Sequence, residues 1–239
     1  MTRPERRRGK INVTGGEGTA TRTIRLFSSI LSCAVDKKLI PRNPALGVTL
    51  LPGAQRHRYL TPDELHRLGK ILEQPAPTPK AGMAAPILRL LLLTGARRGE
   101  IEALNWSEVD FNLGMLCKTT GETGAKMIPL AQVAIETLEN QRRWLDRNCP
   151  WVFPAYRGEG HFDGLNKEWR RIRKLAGIED VRIHDLRHTF VCVCVCVCVC
   201  VGVGSGIGLP LIGEILGHRQ ASTMQRYAHL ADDVGRQTA

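Results

Sequence analysis

His184-Asp-Leu-Arg187-His188 is the stretch on which the reading of this chain turns. Arg187 follows His184 by three positions, in a segment that reads as a helix over about 184–190. Three further fragments belong with it: Thr94-Gly-Ala-Arg97-Arg-Gly-Glu100, Leu216-Gly-His218 and Arg226-Tyr227-Ala-His229. Tyr227 follows His218 by nine residues. Each fragment alone is weak, since a single His or Tyr is more often structural and a single Arg more often an exposed ion-pair partner. Their joint order and spacing carry the information.

The 239 residues suffice for one large domain, or for one domain plus a smaller unit, and 43% hydrophobic content supports a sizeable core. The net charge is +11 and the pI about 9.6, a balance that points to a polyanionic partner, usually nucleic acid. The excess is uneven. Residues 1–58 hold 12 Lys/Arg against 3 Asp/Glu, so the N-terminal segment reads as a DNA-gripping arm, with Arg22 and Arg25 as candidate contacts. No apolar run reaches the ~18 residues of a membrane span, and no signal peptide is evident. The expectation is a soluble, cytoplasmic, DNA-associated protein of prokaryotic type. Five of the eight cysteines lie in one alternating Val-Cys tract between Val191 and Val201, so no disulfide framework or zinc knuckle is expected.

Ile24, Phe27, Leu31, Val35 and Leu39 recur at near-helical spacing and predict a helix over 23–39, stopped by Pro41 and Pro44. Residues 52–58 read as a polar, basic linker. Thr61-Pro62-Asp63-Glu64 combines an N-cap, a proline at the first helical position and a capping box. Helices are expected over about 62–73, 83–94, 97–104, 131–145, 163–176, 209–216 and 222–230, and strands within 114–130 around the Gly121–Gly124 turn. In the helix over 163–176, Leu165, Trp169, Ile172 and Ala176 share a face, while Arg170, Arg171, Arg173 and Lys174 crowd the rest as candidate DNA contacts. An ordinary surface helix would show the same pattern. Alternation and β-branching in the Val-Cys tract favour a strand.

Taken together, the four fragments resemble the motifs of the tyrosine site-specific recombinases of the phage integrase type. The likeness spans roughly residues 58–231 as a catalytic domain, with 232–239 as a tail. The helix over 23–39 and its Ile40-Pro41-Arg42-Asn43-Pro44 tail resemble the end of the family's N-terminal core-binding domain, so residues 1–57 read as a partial, truncated version of it. The resemblance implies a mainly α fold with a small antiparallel sheet. It also implies double-stranded DNA as partner, a homotetramer on DNA, no cofactor and no membrane.

It further implies strand cleavage and rejoining through a 3′-phosphotyrosyl intermediate. Tyr227 would attack phosphorus and conserve the bond energy for religation, without ATP or metal. Arg97 and Arg187 would clamp the nonbridging oxygens, where charge grows in the transition state and a planar guanidinium binds in bidentate fashion. His184 and His218 would supply base and hydrogen-bonding roles.

The chain departs from the family pattern in three places. Where a lysine is expected on the sheet hairpin as acid for the leaving oxygen, Glu122 stands; Lys118, four residues earlier, is the substitute candidate. From Arg187 to Leu209 the chain is about eight residues, roughly two helical turns, longer than the pattern. An in-frame GT repeat encodes such a Val-Cys insertion, and a strand-forming tract of this kind is an aggregation hazard. A metal-binding reading of C-x-C spacing does not match known zinc sites. The third departure is the missing front of the core-binding domain. Two further readings stay open: a decayed recombinase that binds DNA without completing the reaction, and a non-enzymatic basic DNA-binding protein.

Overall fold

The computed structural model describes residues 16–50, 58–118, 125–143 and 149–202. They fall into two compact units, one within residues 1–56 and one within 57–239. In the first, α1 (Glu17–Asp36) is a 20-residue helix. It begins earlier than its apolar spacing suggests and ends three residues sooner, where Lys38 takes a left-handed backbone (φ 58°) and turns the chain. The Asn43 amide then donates to the Ser28 carbonyl (2.9 Å) and the Ser32 hydroxyl (2.8 Å), tying the following turn back onto the helix.

The second unit is built around α3 (Pro79–Thr94). Ile87, Leu88, Leu90 and Leu91 are all buried, so this helix is apolar around much of its girth and occupies the centre. It packs against α2 (Pro62–Glu73), α4 (Arg98–Glu102), α5 (Gln132–Arg143), α6 (Leu165–Leu175) and α7 (Ile183–Gly202). The α2 capping box forms as its sequence predicts: Thr61 Oγ1 accepts from the Glu64 N–H and the Glu64 carboxylate accepts from the Thr61 N–H. On α6, Leu165, Trp169 and Ile172 face the core, and the Trp169 indole donates to the Val181 carbonyl.

A three-stranded antiparallel sheet, β1 (Val109–Asp110), β2 (Met115–Lys118) and β3 (Lys126–Pro129), covers one side in the order β1-β2-β3. Leu116 pairs with Ile128, both buried, and two residues along the same strands Lys118 pairs with Lys126. Side chains alternate along a strand, so the two lysines share the core-facing side of the sheet.

The fold is therefore mainly helical with a small antiparallel sheet, as its sequence suggests. The Val-Cys tract differs from expectation. α7 starts at Ile183 and continues without interruption through residue 202, so the described part of the tract is helix. The physical reason lies upstream. Residues 183–190 nucleate the helix against α3, and extending a formed helix costs little even for valine. Val191 and Cys192 are buried and continue that packing. The helices expected over 209–216 and 222–230, the Gly121–Gly124 turn and the 232–239 tail lie outside the described residues.

Thr189 fastens α7 to the start of the unit. Its hydroxyl donates to the Asp185 carbonyl (2.9 Å) and accepts from the buried Leu60 N–H (3.0 Å). Thr189→Val keeps the shape but orphans that N–H, and is expected to destabilise the fold by about 1–3 kcal/mol in urea denaturation. An unchanged midpoint would show that the bond contributes nothing.

Candidate active site

α3 ends at Gly95, whose left-handed backbone (φ 60°) reverses the chain so that Arg97 comes directly before α4. Arg97 is anchored twice to Glu100. Its backbone N–H donates to Glu100 Oε2 (2.8 Å) and its guanidinium Nη1 to Oε1 (3.1 Å). A third donor reaches the same carboxylate from the sheet: Lys126 Nζ lies 3.3 Å from Oε2. Burial alone would raise the Glu100 carboxyl, but the Arg97 bonds and the Lys126 charge outweigh it and hold it below its ordinary value.

Arg187 arrives from α7. Its side chain is buried, and Nη1 donates to the Gly95 carbonyl at 2.6 Å. Arg97 and Arg187 are thus held at the same turn, one by a carboxylate and the other by a main-chain oxygen. One helical turn before Arg187 sits His184, exposed, its ring edge-on to His188 with centroids 4.9 Å apart. Desolvation lowers the His184 pKa, and the charges of Arg187 and Arg97 add to the effect against the opposition of Asp185. Near neutral pH His184 is an uncharged imidazole, able to accept a proton.

A cleft of about 560 Å³ opens beside this cluster, lined by His184 and by Arg98, Arg170, Arg173, Arg182 and Arg187, with no carboxylate among its lining residues. The basic lining suits a phosphate chain. Among the described residues, no group of three His, Cys, Asp or Glu side chains is placed to hold a metal ion.

The residues singled out in the sequence divide accordingly. Arg97, Arg187 and His184 come together. Arg170 and Arg173 line the cleft, Arg171 pairs with Glu168 (3.1 Å), and Lys174 is exposed on the same helix. Lys118 is buried and pairs with Glu108 at 2.7 Å. Arg22 and Arg25 are exposed on α1 of the first unit. Tyr227, His218 and Glu122 lie outside the described residues. Arg98, Arg182 and Lys126 were not singled out as site residues. Arg98 and Arg182 stand one residue after Arg97 and two before His184, so adjacency to the motifs was the available signal. Lys126 is brought in by strand register, which no motif spells out.

A model of the phage integrase family matches residues 58–233. The chain is 27% identical over 209 residues to the integrase of Salmonella phage P22, covering 81% of this chain and 49% of that protein. It is 27% identical over 232 residues to the tyrosine recombinase XerC of Bacillus licheniformis, covering 92% and 73%. The chain therefore spans about half of the phage protein and about three quarters of XerC. Similar solved folds include the XerA recombinase (TM-score 0.59, 24% identity, 93% of this chain and 75% of that one). A lambda integrase (75–356) dimer bound to a COC′ core site is also similar (TM-score 0.63, 20% identity, covering 88% and 73%).

The depressed His184 pKa has a sign that can be measured. The unfolded chain binds a proton near pH 6.5 where the folded one does not, so folding stability falls as pH drops through 6.5. Replacing His184 with Gln is expected to flatten that part of the stability–pH curve, followed by chemical denaturation between pH 5 and 7.5. A variant whose curve keeps the parent slope would assign the dependence to another group.

Proposed function

The chain belongs to the phage integrase family, and from that premise we propose that it cuts and rejoins double-stranded DNA at specific sites through a 3′-phosphotyrosyl intermediate. The observation that supports this most directly is the meeting of Arg97, Arg187 and His184 at the turn after α3, beside a cleft lined with arginines. A phosphodiester gains negative charge on its nonbridging oxygens as it is attacked. Two guanidiniums held in place before the substrate arrives stabilise that charge without reorganising.

In this reading Tyr227 is the nucleophile, and its phenolic proton passes to a neutral base, for which His184 has the right protonation state. His218 adds a hydrogen bond to the phosphate. A lysine on the sheet protonates the leaving 5′ oxygen. The second unit carries the chemistry. The basic first unit, with Arg22 and Arg25, and the Arg170–Lys174 face of α6 hold the DNA backbone. Assembly as a homotetramer on DNA belongs to the same proposal. The lambda integrase structure bound to a core site supports the choice of partner.

Two outcomes test it. On a DNA substrate nicked near the cleavage site, the parent chain is expected to form a covalent adduct that survives a denaturing gel. Tyr227→Phe should abolish the adduct while filter binding barely changes, because affinity rests on many phosphate contacts rather than one hydroxyl. Arg187→Ala should slow adduct formation by about 2.7–4 kcal/mol of lost transition-state stabilisation. An adduct that persists in Tyr227→Phe removes Tyr227 from the chemistry. No adduct in the parent favours a DNA-binding remnant. Log affinity should fall linearly with log salt, by about 0.9 per phosphate neutralised, and deleting residues 1–22 should make the slope shallower.

A further inference from the structure

We infer that the Val-Cys tract holds a soft, thiophilic cation, Cu(I), between the thiolates of Cys194 and Cys198. The inference stands apart from the strand-cleavage reading above. It starts from the finding that residues 191–202 are the tail of α7, helix rather than strand. In a strand every cysteine of the tract would lie on one face, with successive ones about 6.6–6.8 Å apart. A helix completes a turn in 3.6 residues, so the thiol neighbours become those four positions apart. Cys192, Cys196 and Cys200 then follow one line along α7. Cys194 and Cys198 follow another, about 200° around the axis.

Distances decide what such a pair can do. Helix residues four apart have Cβ atoms about 5–6 Å from each other. A disulfide requires about 3.5–4.5 Å between them, so a regular helix does not close one. A metal ion spans more. With a metal–thiolate bond of about 2.3 Å, as zinc has, two sulfurs on one ion stand about 3.8–4.6 Å apart, depending on the angle at the metal. Each sulfur lies one bond beyond its Cβ. A slight inward lean therefore brings a pair to that separation without unwinding the helix.

Access selects the pair. Cys192 is buried where α7 continues its packing, closed to an ion arriving from solvent. Cys194, two residues on, is half-buried beside Val193, which is 47% exposed, so solvent reaches the helix there. The donor set selects the ion. Residues 189–202 contain no Asp, Glu, Lys, Arg or His, which leaves sulfur as the ligand the tract offers. Soft thiolates favour Cu(I) and zinc. A structural zinc takes four protein ligands, twice what one pair supplies. Cu(I) is satisfied by two thiolates in line with it. As the two Cu–S bonds form, the two thiols release two protons to solvent, the copper stays Cu(I), and the bridged pair carries one negative charge.

The experiment keeps the number of thiols fixed and changes only their spacing. The full chain first receives Cys33→Ser, Cys117→Ser and Cys149→Ser. One variant then retains Cys194 and Cys198, through Cys192→Ser, Cys196→Ser and Cys200→Ser. The other retains Cys194 and Cys196, two positions apart, through Cys192→Ser, Cys198→Ser and Cys200→Ser. Both are titrated anaerobically with Cu(I) against the chelator bicinchoninate, at helix content matched by circular dichroism.

The variant with Cys194 and Cys198 is expected to take one Cu(I) per chain and to show a thiolate–copper charge-transfer band in the ultraviolet. The variant with Cys194 and Cys196 is expected to bind about 10²-fold more weakly or worse, because its two thiols cannot engage one ion together. In the otherwise unaltered chain, Cys194→Ser with Cys198→Ser is expected to lower Cu(I) uptake by one ion, a readout that needs no stripped background. Equal affinities in the two variants would overturn the inference and leave thiol number as the cause. So would a Cys194–Cys198 variant that draws no Cu(I) from the chelator, or unchanged uptake in the unstripped pair variant. Displacement of Cu(I) by an equal concentration of Zn(II) would overturn the choice of ion.

Discussion

Everything at the site depends on holding like charges together in advance of the anion they are meant to meet. Two cations about 4 Å apart near a protein surface repel by roughly 4 kcal/mol. Arg97, Arg187 and Lys126 are gathered with one carboxylate, Glu100, between two of them, and one carbonyl, Gly95, against the third. Both anchors come from the short segment that ends α3 and begins α4. Its geometry is set by a single left-handed glycine. Were Gly95 to take an ordinary helical conformation, α3 would run on and the carbonyl that pins Arg187 would point along the helix instead.

The scaffold follows from that need. α3 is buried on most sides, which fixes where its end lies, and five other helices press on it. α7 brings His184 and Arg187 in on one turn. The sheet brings Lys126 in by pairing, with the Leu116–Ile128 contact setting the register two residues away. A slip of one residue along β3 would turn Lys126 to the outer face and leave Glu100 with one cation fewer.

Much of this was legible in the sequence because its causes are local. The Thr61 capping box, the apolar stripe of α6 and the Arg97 and His184–Arg187 motifs are all written in neighbouring residues. What was not legible has non-local causes. The pairing of Lys126 with Glu100 spans 26 positions and depends on strand register. The grouping of Arg98, Arg170, Arg173 and Arg182 along one cleft depends on how α4, α6 and the start of α7 are each set against α3. The Val-Cys tract was misread for a related reason. Its alternation is a local strand signal, but the helix it continues had already been nucleated by residues packed against α3.

The first residues of the second unit are stitched to the functional helix. Arg58 Nε lies 2.7 Å from Asp180, three residues ahead of α7, and its guanidinium also grips Glu64. Two positions on, the Leu60 N–H is bonded to Thr189, inside α7. Residues 58–60 therefore act as a strap across the root of the helix that carries His184 and Arg187. Mechanically, this makes the strap a lever. A shift of residues 58–60 is delivered to Asp180 just ahead of α7 and to Thr189 within it, and a displacement of about 1 Å there is enough to spoil the alignment of a reacting group.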